Sequence, residues 1–148
     1  MTVVWRHIVC PACTQVNRVR EARLANGPKC GAYKELLFTG HPIDLHSGNF
    51  QQHLRRNDIP VVVDFWAPWC GPCKIMAPVF EQATKRLEPF VRLGKLNTDR
   101  EPAIATRFGI RGIPTVILFK SGQELERRSG AMDFNTLIRW VQSHVGQP

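Results

Sequence analysis

The spacing of hydrophobic and polar positions changes near residue 40 of this chain. Beyond it, strand-like and helix-like segments alternate. Short apolar runs rich in β-branched or aromatic residues predict strands, and they fall at 43–45, 61–66, 91–96, 115–119 and 124–129. Apolar residues three or four positions apart predict helices, and these fall at 49–56, 73–87 and 101–108. A last helix begins after Asp133, which can cap it. The apolar stripe of this helix consists of Phe134, Leu137, Ile138 and Val141.

The order of these segments predicts an α/β fold. The first four strands are joined through three helices, so parallel crossovers come first, and the Ser121-Gly122 turn then makes a hairpin. A mixed central sheet flanked by helices on both faces follows. Phe119, Phe134 and Trp140 are interpreted as core residues without a site role.

The first forty residues show neither kind of spacing. They consist of short polar pieces, three cysteines and the turn signal Asn26-Gly27-Pro28. The chain of 148 residues is long enough for one ordinary domain and a short extension. We therefore divide it into an extension, residues 1–40, and a domain, residues 41–148.

Charge and hydropathy exclude several classes of function. The net charge of +8 is spread over both parts, and the basic doublets are isolated. Scattered positive charge favours solubility over nucleic-acid binding. No apolar run reaches the length of a membrane span or of an export signal. We therefore expect a cytoplasmic monomer that binds neither membrane nor nucleic acid.

Five cysteines form two close pairs and one single residue. An odd number fits poorly with an extracellular disulfide framework. In a reducing cytosol, close pairs indicate metal or catalytic sites. The pairs are Cys10/Cys13 and Cys70/Cys73, and Cys30 stands alone.

The segment Cys70-Gly71-Pro72-Cys73 follows a predicted strand and opens a predicted helix. A helix N-terminus favours negative charge, so a cysteine there ionises readily, and the thiolate is the nucleophile of disulfide exchange. Cys70 is predicted to be the exposed attacking thiol and Cys73 the shielded thiol that resolves the mixed disulfide. Half of a zinc site is the rival interpretation of such a pair. A C-x-x-C beside a βαβ pattern favours the redox role.

Two segments resemble the hallmarks of the thioredoxin family. They are VDFWAPWCGPCK at 63–74 and GIPT at 112–115, and the similarity extends from about residue 42 to the end. The resemblance implies a five-stranded sheet with four helices, protein disulfides as substrates, and recycling by an NADPH-dependent thioredoxin reductase. It implies no cofactor in the exchange itself.

Strand alternation points Asp64 into the sheet's covered face together with Val62 and Trp66. Burial without a strong partner should raise the pKa of this carboxyl group. The resemblance implies that Asp64 assists deprotonation of Cys73, and that Lys95, at a matching position, pairs with Asp64. The alternative is a strand-end residue bonded to backbone.

The resemblance also implies a substrate groove around the dithiol. Although most X–Pro bonds are trans, it implies a cis bond between Ile113 and Pro114, with the backbone at Ile113 free to pair with an extended substrate. The substrate-binding residues implied are Trp69, Gly71, Pro72, Ile113, Pro114 and Gly130.

The N-terminal cysteines nearly match a zinc-ribbon template. Cys10-x-x-Cys13 is followed after sixteen residues by Cys30, but Tyr33 stands where the fourth cysteine is expected. This arrangement resembles the thioredoxin 2 subgroup, which carries an N-terminal four-cysteine zinc motif. Two outcomes stay open. Zinc binds the three cysteines, with water or a histidine (His7, His41 or His46) as fourth ligand, or the site is degenerate and the thiols are free or oxidised.

The function predicted from these features is protein-disulfide reduction through Cys70 and Cys73. A binding protein that docks through residues 1–40 is the alternative of another class. A third possibility is a disulfide oxidant or isomerase, which uses the same thiol-disulfide exchange in the other direction. The Gly-Pro pair between the cysteines and the absence of an export signal favour reduction.

Overall fold

A computed structural model describes residues 2–146. Its N-terminal part contains an antiparallel hairpin of β1 (Trp5–Val9) and β2 (Val16–Arg20), followed by one 3₁₀ turn, Glu21–Arg23. These strands escaped the prediction because neither alternates apolar and polar residues cleanly. The ring of Trp5 packs against the guanidinium of Arg18, whose Cζ lies 4.3 Å from the ring centroid.

The remaining strands form one mixed sheet in the order β3-β5-β4-β6-β7. Its strands are β3 (Ile43–Leu45), β4 (Val61–Trp66), β5 (Arg92–Asn97), β6 (Thr115–Lys120) and β7 (Gln123–Ser129). The first three are parallel, whereas β6 and β7 are antiparallel to their neighbours. The predicted mixed sheet and its terminal hairpin are confirmed.

Four helices cover the two faces of this sheet. They are α1 (Phe50–Arg56), α2 (Gly71–Leu87), α3 (Pro102–Arg107) and α4 (Phe134–Val145). Apolar side chains of α1 and α3 share a core on one face, and those of α2 and α4 share a core on the other. The Asp133 carboxylate accepts a hydrogen bond of 2.8 Å from the Thr136 N–H, so the predicted cap of α4 is confirmed. Within residues 2–146, no helix is both long and apolar enough to cross a bilayer.

The alternation predicted for β4 is confirmed. Val61, Val63 and Phe65 lie in the core with α1, and Val62 lies in the core with α2 and α4. Asp64 therefore points toward α2. The residues predicted to lie in the core, Phe119, Phe134 and Trp140, are buried or pack against it.

A buried ion pair of the domain, Arg92–Glu88, is hydrogen-bonded to the N-terminal part. Arg92 is 1% exposed, and its Nη2 donates a 3.0 Å hydrogen bond to the Val9 carbonyl. Its Nη1 lies 3.4 Å from Glu88 Oε2, and its guanidinium lies over the Phe38 ring. Glu88 in turn accepts from the Gly40 N–H at 2.8 Å. We refer to Arg92, Glu88 and the Val9 carbonyl as the buried joint.

Candidate active site

Cys70 occupies the N-cap position of α2, four residues beyond the end of β4. It forms a disulfide with Cys73, and their Cα atoms are 5.2 Å apart. The backbone N–H of Cys73 donates to Cys70 Sγ at 3.2 Å. The structure therefore places the sulfur of Cys70 against the free N–H groups of the helix N-terminus, as the sequence predicts.

The prediction that Cys70 is exposed is wrong for this oxidised form. Cys70 is only 4% exposed and Cys73 only 2%. The disulfide holds both sulfurs against Ala67, Trp66 and Ile113, which form a small apolar cluster around them.

The Ile113–Pro114 loop lies next to the disulfide. The peptide bond between these residues is cis, as the family resemblance implies. The Ile113 carbonyl oxygen lies 3.7 Å from Cys70 Sγ. Pro114 is buried, whereas Ile113 is half-buried at the edge of the site.

Two large apolar side chains project beside the dithiol. Trp69 is 68% exposed, and its Nε1 donates to Asp99 Oδ1 at 3.2 Å. Ile75, two residues after Cys73 in α2, is 69% exposed. Sequence reasoning missed Ile75, although its position off the apolar stripe of α2 is a signal that could have found it.

Gly130 and the two residues between the cysteines border the same loop. The Gly130 N–H donates to the Pro114 carbonyl at 2.8 Å, and its φ of 95° is one that residues with a Cβ rarely adopt. A Cβ built on Gly130 or on Gly71 contacts nothing within 4 Å. Gly71 and Pro72 are exposed at the start of α2. This side of the dithiol is therefore open to an incoming chain.

Asp64 is fully buried, and neither of its carboxylate oxygens has a hydrogen-bond partner in the protein. Burial raises its pKa to about 7, although the positive charge of Lys95 pulls it downward. The alternative of a strand-end residue bonded to backbone is therefore wrong. The group can hold or release a proton near neutral pH.

Lys95 lies directly across from Asp64 in the register of β4 and β5. The prediction that Lys95 pairs directly with Asp64 is wrong, because no salt bridge joins the two groups in the described chain. Instead, Lys95 Nζ lies 4.6 Å from the centroid of the Trp66 ring. The half-buried ammonium acts on Asp64 through space.

A second cluster of reactive groups lies in the N-terminal part. The sulfurs of Cys10, Cys13 and Cys30 all lie within 4.8 Å of one another. Cys10 and Cys30 are buried, and Cys13 is exposed. Soft thiolate donors at such separations fit a zinc ion.

Hydrogen bonds to Cys30 favour its ionised form. Burial opposes ionisation, but N–H donors of Tyr33 and Ala32 and the side chain of Asn17 outweigh it and lower the pKa of Cys30 to about 6. The Tyr33 N–H to Cys30 Sγ distance is 3.3 Å. A metal ligand of this type has to be deprotonated, so the surroundings fit that role.

The three candidate histidine ligands do not join this cluster. Among residues 2–146, the cluster contains cysteines alone. His7 and His41 pair with the carboxylates of Asp58 and Glu81, and Nδ1 of His46 accepts from the backbone N–H two residues later. Of the alternatives for the fourth ligand, this structure therefore does not favour a histidine, since no ring lies at the three sulfurs.

Comparison with known proteins agrees with this geometry. A family model described as "Thioredoxin" matches residues 41–143, and one described as "Thioredoxin 2, N-terminal", a zinc ribbon, matches residues 9–32. Thioredoxin C-3 of Corynebacterium nephridii is 40% identical over 140 residues, which cover 95% of this chain and 96% of that protein. A thioredoxin of Porphyra purpurea is 46% identical over 97 residues, covering 66% of this chain and 91% of its own. Among solved structures, a mutant thioredoxin of Halobacterium salinarum NRC-1 superposes with a TM-score of 0.65 at 29% identity, covering 74% of this chain and 95% of its own.

Proposed function

Since the chain belongs to the thioredoxin family of thiol-disulfide oxidoreductases and carries the zinc-ribbon segment of the thioredoxin 2 subgroup, we propose that Cys70 attacks protein disulfides and that Cys73 completes their reduction. The observation that carries this proposal is the place of Cys70 at the N-cap of α2, with Cys73 one turn later and already bonded to it. A sulfur there is stabilised as a thiolate, and its partner is within reach.

The cycle starts from the dithiol. The Cys70 thiolate attacks one sulfur of the substrate disulfide, whose S–S bond breaks and releases one substrate thiolate. The Cys73 thiolate then attacks Cys70 Sγ, which breaks the mixed disulfide and frees the second substrate thiolate. The two substrate thiolates take up protons, and two electrons have passed to the substrate. The Cys70–Cys73 disulfide that remains is the form described above.

Asp64 is proposed to accept the proton of Cys73 during this second step. Its burial, its lack of a partner and its pKa of about 7 support a base that works near neutral pH. Both Asp64 and the first turn of α2 lie on the same face of the sheet. Lys95 is proposed to act on the pKa of Asp64 and not on the sulfurs.

Substrate binding is proposed at the open side of the dithiol. An extended substrate segment would pair with the backbone at Ile113, whose carbonyl lies 3.7 Å from Cys70 Sγ. Trp69 and Ile75 offer apolar contact, and Gly130, with no side chain, leaves the approach free. Gly71, Pro72 and Pro114 complete this surface.

The partner proposed for recycling is thioredoxin reductase, which returns the disulfide to the dithiol with electrons from NADPH. The compartment proposed is the cytoplasm, where such a reducing system keeps thiols reduced. We propose that the chain acts there as a monomer of two parts, residues 1–40 and residues 41–148.

We expect the chain to support NADPH consumption when it is mixed with thioredoxin reductase and insulin. Insulin supplies exposed disulfides, so the rate should rise with the concentration of the chain and should need all three proteins. Absorbance at the NADPH band measures it. A chain that dithiothreitol reduces, but that leaves insulin disulfides intact, would contradict the proposed direction of electron flow.

Zinc is proposed as the structural ion of the N-terminal segment, held by Cys10, Cys13 and Cys30. An ion bound to these thiolates would tie the two cysteine loops together and add folding free energy to a segment with a small core. It has no part in the exchange at Cys70.

Metal analysis tests this ligand set. Protein purified from zinc-supplemented cells without chelator should contain one zinc per chain, because the three sulfurs are already gathered. Joint replacement of Cys10 and Cys30 by serine should bring the ratio near zero, whereas the matched Cys70→Ser, Cys73→Ser protein should keep its zinc. Zinc missing from the unaltered chain would refute the proposal.

A further inference from the structure

The two loops that carry the N-terminal cysteines have the same backbone geometry. The Cys10 carbonyl accepts from the Thr14 N–H at 3.1 Å, and the Cys30 carbonyl accepts from the Lys34 N–H at 2.8 Å. Each cysteine N–H donates to the carbonyl five residues later, at 2.9 and 2.8 Å. Thr14 and Lys34 share a left-handed backbone conformation, with φ of 62° and 69°. The loop that begins at Cys30 therefore has the same backbone conformation as the loop that begins at Cys10 and carries two of the proposed zinc ligands.

This correspondence assigns a position to Tyr33. Tyr33 follows Cys30 by three residues, as Cys13 follows Cys10, and so it occupies the place of a fourth ligand. Its N–H donates to Cys30 Sγ, as an N–H of the first loop donates to Cys10 Sγ. Its side chain, however, is 54% exposed, and a phenol is not among the cysteine, histidine and carboxylate side chains that bind zinc.

The sulfurs leave one corner of a tetrahedron without a protein ligand. Zn–S bonds of about 2.3 Å give a tetrahedron with edges of about 3.8 Å. Cys13 Sγ and Cys30 Sγ are 3.7 Å apart, which matches one such edge. Within the described residues, no histidine, aspartate or glutamate joins the three sulfurs. Zinc sites with three protein ligands keep the fourth position for a molecule from solution.

We infer that Tyr33 leaves the metal held by Cys10, Cys13 and Cys30 with an open position that binds a small thiol as its thiolate. This inference rests on the proposed zinc site. The thiol gives its proton to solvent and its sulfur binds the ion, so no electron is transferred. Soft thiolate suits the ion that the other sulfurs already hold. Residues 1–40 carry six Lys/Arg against two Asp/Glu, which offsets the added negative charge.

The test uses cobalt(II) in place of zinc, because its visible spectrum responds to the ligand set. The full chain carries Cys70→Ser and Cys73→Ser in every sample, so that only the N-terminal cysteines bind metal or react. Titration with 2-mercaptoethanol should shift the cobalt spectrum of this parent in a saturable way. Added Tyr33→Cys should abolish the shift and give the thiol-saturated spectrum from the start.

Two further measurements complete the test. The Tyr33→Phe protein, which lacks only the phenol oxygen, should match the parent throughout. Tyr33→Cys should slow transfer of the metal to a chelator, because a fourth thiolate of the chain then holds the ion and closes the position through which the chelator would attack. These readouts do not involve disulfide reduction.

The outcomes separate the two proposals. A parent that binds no cobalt overturns the zinc site itself. A parent that binds one cobalt but ignores the thiol, or a Tyr33→Phe protein with an altered spectrum, leaves the zinc site standing and overturns the open position. Identical spectra of the parent and the Tyr33→Cys protein, at every thiol concentration, overturn it as well.

Discussion

Cys70→Ser is expected to lower the rate of insulin reduction by at least ~10³-fold, because removal of a nucleophile removes the reaction path itself. A hydroxyl at the N-cap of α2 still accepts the Cys73 N–H and leaves the helix capped. The loss should therefore be one of chemistry and not of folding. The coupled NADPH assay measures the rate, and circular dichroism checks the fold.

Cys73→Ser is the matched control. It also lacks turnover, but its Cys70 can still attack, so it should accumulate a mixed disulfide that mass spectrometry detects. A Cys70→Ser protein with more than a tenth of the original rate, or one that forms the mixed disulfide through Cys73, would show that the roles are misassigned.

The unaltered protein is expected to lose stability as the pH rises, and Asp64→Asn is expected to abolish this dependence on pH. The carboxyl group has an ordinary pKa of 3.8 and a pKa of about 7 in the folded chain. Between these values the folded state binds more protons than the unfolded state, so stability falls as the pH rises across that window. The loss is absent below 3.8 and complete above 7. Three pH units correspond to up to about 4 kcal/mol in the free energy of unfolding.

Urea unfolding of the oxidised proteins at several pH values between 5 and 8 measures this difference. The advantage of Asp64→Asn should grow as the pH rises and then level off. Lys95→Met is the matched variant, because the Lys95 charge lowers the pKa of Asp64. Without that charge, the loss should extend to higher pH. A stability difference between Asp64→Asn and the unaltered chain that is constant across this range would refute the assigned burial penalty.

Most of the fold beyond residue 40 follows from local pattern. The apolar runs of β4 and β6 are buried on both sides of the sheet, and such runs are visible without any knowledge of partners. The hairpin of β1 and β2 was missed because its stability comes from distant contacts. Val9, for example, is held by Asn57 and Arg92, which lie far along the chain.

The active site likewise combines features that follow from the local sequence with features that depend on distant residues. The place of Cys70 at a helix start and the burial of Asp64 depend on neighbours in sequence, and both were predictable. The exposure of Cys70 was not, because part of the cover on its sulfur comes from Ile113, more than forty residues away. Lys95 is aligned with Asp64 by the strand register, yet its flexible stem lets the ammonium reach the ring of Trp66 instead.

The buried joint links the stability of the N-terminal part to that of the domain. If the N-terminal part separates, the guanidinium of Arg92 loses the Val9 carbonyl and the Phe38 ring that lies against it. If β5 separates, the carbonyl of Val9 loses its donor. Either event breaks a hydrogen bond to a charged group, and such a bond stabilises a folded protein by about 1.5–3 kcal/mol. The zinc-ribbon segment and the thioredoxin domain are therefore expected to stabilise each other, so that unfolding of one lowers the free energy of unfolding of the other.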